Sequence, residues 1–137
     1  MNRMDYPEFK KYATEWENRR KYQKLITSIE KFVNKENEVV FYPKNLFLED
    51  YYLELYFFGR NKIVILNERE DDVLVKVLRC DQIQSVELTY VDMDEPVNLC
   101  IEFNNDETIE LNDKTDTDTS WSGQFTTKIE EIFKLLN

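Results

Sequence analysis

A chain of 137 residues with 42% hydrophobic and 14% aromatic residues can bury a core without metal or disulfide staples, which excludes a disordered segment and a disulfide scaffold. Its formal net charge is −10, unevenly spread: residues 1–37 hold nine Lys or Arg against six Asp or Glu, a net of +3, leaving nine against 22, a net of −13, in residues 38–137. Such an acidic body repels phosphate backbones and anionic head groups, so broad nucleic-acid or membrane-surface binding is disfavoured and a basic partner is attracted.

In chain order, Asp5-Tyr6-Pro7-Glu8 reads as a helix opening, with Asp5 as cap, Glu8 reaching back to its amide, and Met4 and Phe9 at the positions of a hydrophobic staple. Phe9, Tyr12, Ala13 and Trp16, then Tyr22, Leu25, Ile26, Ile29, Phe32 and Val33, recur at helical spacing as far as Asn34. The polar interval Glu17–Lys21 interrupts this stripe, which leaves open one long helix or two with a bend near Asn18. Arg19, Arg20, Lys21 and Lys24 form a basic cluster, read as a solvated face or a contact with the acidic body, since four charges beside Glu15 and Glu17 make a weak nucleic-acid footprint.

After Asn37 the pattern changes to a short strand, Glu38–Tyr42, stopped by Pro43, with Leu46, Phe47 and Leu48 adding a little more sheet. Tyr51–Phe58, Lys62–Leu66, Val73–Leu78, Gln84–Val91, Val97–Phe103 and Glu107–Leu111 then read as consecutive antiparallel strands, because the links are too short for crossover helices. Turns fall at Gly59-Arg60-Asn61, Asn67–Asp72, Asp92–Pro96 and Asn104-Asn105-Asp106, and Cys80–Gln82 reads as a bend or bulge.

Val86, Leu88 and Tyr90, then Val97, Leu99, Ile101 and Phe103, then Ile109 and Leu111 alternate with polar neighbours, so these strands bury one face. Leu53, Leu55 and Phe57 form a core face too, but Tyr52, Tyr56 and Phe58 stand opposite, and Ile63 and Ile65 are set against Val64 and Leu66. That part of the sheet is expected to be covered on both sides. The face Tyr52, Tyr56, Phe58 is expected either to lie under the stripe Tyr22, Ile26, Ile29 and Val33 or to serve as the partner surface.

Beyond the polar loop Asn112–Thr119, Ser120 or Ser122 is the expected N-cap of a last helix. Phe125, Ile129, Ile132, Phe133 and Leu136 lie on one of its faces, Lys128, Glu131 and Lys134 point away, and Trp121 packs at the same seam. The expected fold is therefore α+β: an N-terminal helical segment, a bent antiparallel sheet or partly open barrel of about seven strands, and a C-terminal amphipathic helix. Residues 1–137 read as a single domain, 1–37 the helical segment and 38–137 the barrel with its closing helix. The alternative is a flat sheet with both helices on one face.

This order of strands and helix resembles a pleckstrin-homology-like barrel over residues 38–137, at the level of topology. The resemblance implies a helix plugging one end of a bent sheet, and a binding module rather than an enzyme, with phosphoinositides, peptides or proteins as partners. Its lipid-binding members share a basic loop between the first strands. Here Gly59-Arg60-Asn61-Lys62 offers Arg60 and Lys62, and the next turn, Glu68–Asp72, is acidic, so a protein partner is expected rather than a lipid. The chain as a whole looks like a small bacterial protein of an uncharacterised family.

Catalytic chemistry finds few parts. With no His, Ser-His and Cys-His arrangements are excluded, and two glycines do not build a phosphate-cradling loop. Asp92 and Asp94 fall in an expected turn. Asp113, Asp116, Asp118 and Ser120 suggest a calcium loop, but an EF-hand starting at Asp116 needs Gly and Glu where Trp121 and Thr127 stand, so the bland reading is a solvated loop. Cys80 and Cys100 read as free thiols. The sequence shows neither a long apolar run nor a signal-peptide pattern, and a cytoplasmic protein is expected, with no catalytic, cofactor or metal site. Its expected role is a binding or adaptor protein with a protein partner of basic character; the alternative is an acidic inhibitor or immunity-type protein.

Overall fold

In the computed structural model, which describes residues 3–15, 19–34, 40–91 and 97–137, with the backbone alone for Arg19, Arg20 and Lys21, the N-terminal segment forms two helices, α1 (Tyr6–Glu15) and α2 (Arg19–Phe32). They fold back on each other. Tyr6 Oη donates to Glu30 Oε1 at 2.8 Å, Lys10 Nζ pairs with the same oxygen at 2.7 Å, and Phe9 and Tyr12 both meet the Tyr22 ring. The bend expected near Asn18, with Trp16 and Glu17, lies outside the described residues, as do the strand start at Glu38 and Val39 and the acids Asp92 and Asp94. Phe32 leaves the expected stripe: it is exposed, whereas Tyr22, Leu25, Ile29 and Val33 are buried.

Seven strands follow among the described residues: β1 (Val40–Lys44), β2 (Glu54–Phe58), β3 (Lys62–Glu68), β4 (Val73–Arg79), β5 (Ile83–Tyr90), β6 (Val97–Phe103) and β7 (Thr108–Asn112), then helix α3 (Ser122–Leu136). They make two antiparallel sheets, β1-β2-β3-β4 and β5-β6-β7, unclosed, and the fold is α+β. Between β4 and β5 the chain turns through a short 3-10 segment, Cys80–Gln82, with a register shift between Ile83 and Ser85, the irregularity expected there. β1 continues through Pro43 rather than stopping at it, because β1 is the edge of its sheet, where a residue without an N–H is tolerated. Leu46 adds a lone bridge to Thr117, and β2 starts at Glu54, leaving Tyr51 and Tyr52 in the link. That link holds Asn45 at φ 71° and Phe47 at φ 70°, left-handed conformations that Asn adopts readily and a bulky ring does not. Phe47 is held there by stacking on Trp121 at 5.5 Å and by edge contact with Tyr12 at 5.1 Å.

Through β1, β2 and β3 the first sheet is apolar on both faces, and each face has its own cover. Val40, Tyr42, Tyr56, Phe58, Ile63 and Ile65 point inward, where they join the inner residues of β6 and β7 and Phe125, Ile129 and Ile132 of α3. Phe41, Leu55, Phe57, Val64 and Leu66 point the other way, under Phe9 and Ala13 of α1 and Leu25 and Ile29 of α2. Each such side chain contributes about 1.5–3 kcal/mol on burial.

Helix α3 differs from expectation at its start and on its polar side. Neither serine caps it: the residue before the helix is Trp121, with no side-chain cap, and Ser122 Oγ donates to the Thr119 carbonyl. Lys128, expected in solvent, is 1% exposed. Its Nζ donates to the Phe41 carbonyl at 2.7 Å and to Asp5 Oδ1 at 2.8 Å. The reason is the segment ahead of α1, which crosses α3: Met4 N donates to Gln124 Oε1 at 2.8 Å, and Arg3 forks onto both carboxylate oxygens of Glu131. Asp5 precedes α1, and its carbonyl accepts from Phe9 N, but its amide donates to the Arg3 carbonyl, so the expected reciprocal bond from Glu8 is not what holds this end. Met4 and Phe9 are buried as a staple requires.

Candidate functional site

Of the three residues expected to form a partner surface, the structure leaves one accessible. Tyr52 is 51% exposed, but Tyr56 is 5% and Phe58 0% exposed. Both point into the space between the sheets, where their rings stack at 5.8 Å, and Tyr56 Oη donates to Glu54 Oε1 at 2.7 Å. Burial, then the Glu54 charge and hydrogen bond, pushes the Tyr56 hydroxyl far above its ordinary pKa. The outward face of β2 is the opposite set, Leu55 and Phe57, and this is the set the helices cover. Alternation located both faces of β2 but not which one turns inward, since both are apolar.

The uncovered sheet surface lies elsewhere. On β5-β6-β7 the inner positions belong to the core, and the cross-strand partners place the outer positions in three rows. Glu87, Cys100 and Glu110 form one row, Ser85, Glu102 and Thr108 the next, and Thr89, Asn98 and Asn112 the third. Neighbouring strands lie about 4.8 Å apart, so Glu87 and Glu110 stand about 10 Å apart across Cys100, with Glu102 one pleat away on the same face. These outer positions include no Lys or Arg; Lys44 reaches in from β1 to the Glu110 carbonyl at 2.8 Å. The Cys100 thiol registers this surrounding: burial first, then Glu110, Glu102 and Glu87, pushes its pKa above the ordinary value. It is therefore a poor nucleophile at neutral pH. The sequence carried part of this signal, a Glu at a polar position of each one-sided strand. What it lacked was the register that sets the three side by side.

The acidic loop after β7 is not solvated as expected, because Asp113 and Asp116 are each 2% exposed. Asp113 accepts from Val97 N at 3.0 Å and from Thr126 Oγ1, and Asp116 Oδ2 accepts from Tyr42 Oη at 2.7 Å and Asn112 N at 2.8 Å. The Asp116 carbonyl takes Asn45 N, and Thr117 Oγ1 donates to the Leu46 carbonyl. These acids tie β1, β6, β7 and α3 together. Burial pushes the Asp116 carboxyl up against the opposing effect of its donors and Lys44. Among the described residues no group of three or more His, Cys, Asp or Glu is placed to hold a metal ion, and no helix is long and apolar enough to cross a membrane.

A family model described as "Protein of unknown function (DUF3908)" matches residues 4–127. No curated protein and no solved structure matches the chain.

Proposed function

The chain belongs to that family, and we propose that it is a protein-binding module, not an enzyme, that engages a basic partner through the outer face of β5-β6-β7. The observation that carries this reading is the row Glu87, Cys100, Glu110 with Glu102 beside it, on the sheet face that no helix of the described chain covers. Carboxylates gathered on one face repel each other weakly through solvent, and a cationic surface laid against them removes that repulsion on binding while steering the encounter. The order of the two sheets and a final helix packed on their shared interior supports a pleckstrin-homology-like form. An acidic inhibitor of a basic enzyme would use the same face, and differs in that its partner loses activity on binding.

The test compares the native chain with Glu87→Gln/Glu102→Gln/Glu110→Gln as bait in the native cytosol. The reading expects basic proteins retained by the first and not by the second, with affinity falling steeply as salt rises. Retention that the triple variant and salt leave unchanged would overturn it.

A further inference from the structure

At the end of the molecule where β2 turns into β3 and β4 into β5, a cleft of about 650 Å³ opens beside the last turn of α3. Its rim carries Arg60 and Arg79, with Asp81 near them, and its wall is Ile83, Leu135 and Leu136, all half-buried. Arg79 is the cross-strand partner of Lys62, so two cations stand directly opposite, with Arg60 two residues before Lys62 in the hairpin. Facing like charges destabilise a strand pair. Among the described residues none of these three makes an ion pair or side-chain hydrogen bond, although the chain carries ten more acids than bases. At physiological salt the screening length is about 8 Å, so the charges that line the cleft, Arg60, Arg79 and Asp81, act most strongly on an anion at its rim.

We infer that this cleft is a binding site for a small amphiphilic anion, its acid group held by Arg60 and Arg79 and its apolar body laid on Ile83, Leu135 and Leu136. Asp81 and the carbonyl end of α3 oppose a second negative charge, so the class is a monoanion such as an acyl carboxylate rather than a polyphosphate. The volume suits a ligand of that size.

Cys80 lines the cleft, its thiol donating to the Gly59 carbonyl at 3.6 Å, whereas Cys100 sits on the outer face of β6; the two thiols give a reporter and its control. Alkylation of both is followed by mass spectrometry with decanoate below its micellar concentration, with decanol, with acetate, and with phosphatidylcholine vesicles containing a phosphoinositide. The expected result is that decanoate slows modification of Cys80 and not of Cys100, that decanol and acetate do so far more weakly, and that the vesicles neither protect Cys80 nor retain the protein. Arg60→Ser/Arg79→Ser should weaken the decanoate effect at least about tenfold with a melting temperature that does not fall, both side chains being exposed and Arg79 facing Lys62. No protection by decanoate, equal protection by decanol or by acetate, protection that survives the double variant, or retention on the vesicles would overturn the assignment.

Discussion

The two sheets solve the same problem differently. β1-β2-β3-β4 is a middle layer: Phe41, Leu55, Phe57, Val64 and Leu66 face the α1–α2 pair while Tyr42, Tyr56, Phe58, Ile63 and Ile65 face the interior. β5-β6-β7 is an outer layer, with Leu88, Leu99, Ile101 and Leu111 inward and Glu87, Cys100, Glu102 and Glu110 outward. In β1, β2 and β3 almost every side chain is buried, so the strands with the strongest hydrophobic signal are the least informative about function. The sheet with the interrupted signal is the one whose outer face is left open.

The sharpest way to break this contrast is to truncate one outward side chain on each sheet. Phe57→Ala should cost about 3–5 kcal/mol, as removal of a buried aromatic does, whereas Glu87→Ala should stay within about 0.5 kcal/mol of the native chain in urea unfolding. Equal costs would mean that the first sheet's outer face is not a core.

The cover over the first sheet is fastened to α3 by Asp5 and Lys128. Asp5→Ala leaves a buried ammonium with the Phe41 carbonyl alone and should cost about 1–3 kcal/mol. Lys128→Met leaves the buried Phe41 carbonyl without its donor but keeps Asp5 paired with Arg3, and should cost no more than Asp5→Ala by the same measurement, about 1–3 kcal/mol at most. A costly Lys128→Met beside a harmless Asp5→Ala would reverse this picture.

Acid should loosen the same fastening. Burial pushes the Asp5 carboxyl up, but the Lys128 hydrogen bond and charge, then those of Arg3, outweigh it and leave its pKa below the ordinary value. A folded pKa below the unfolded one gives stability that is complete above the unfolded value, about pH 4, and is lost as pH falls through the lower folded value. In Asp5→Asn that component of acid unfolding should be missing, and stability should fall less between pH 4 and lower values of about 2. An acid profile unchanged by the substitution would show that Asp5 is not held this way.

The smallest effect concerns the open face itself. Replacing Glu87, Glu102 and Glu110 by Gln removes mutual repulsion and should raise stability by a few tenths of a kcal/mol at low ionic strength, fading as salt is added. A loss of stability at low salt would mean that the carboxylates are partnered.

Much of the layout was legible in the residues, because period-2 alternation in Val97–Phe103 and the stripe Phe125, Ile129, Ile132 depend on local spacing alone. What was not legible depends on contacts distant in sequence. Lys128 reads as a surface residue until Asp5, 123 positions earlier, is laid against it. Asp113 and Asp116 read as solvated until Tyr42, Val97 and Thr126 reach them. Tyr56 and Phe58 could not be told from Leu55 and Phe57 by pattern, as every one of them is buried. The acidic face needed the register of three strands.

The most direct measurement of the central claim is the amide and methyl chemical-shift map of the chain titrated with a basic polypeptide such as polylysine. The account expects perturbations centred on Glu87, Cys100, Glu102 and Glu110 and absent around Tyr52. A map centred on the link at Tyr51 and Tyr52, with the outer face of β5-β6-β7 silent, would contradict it.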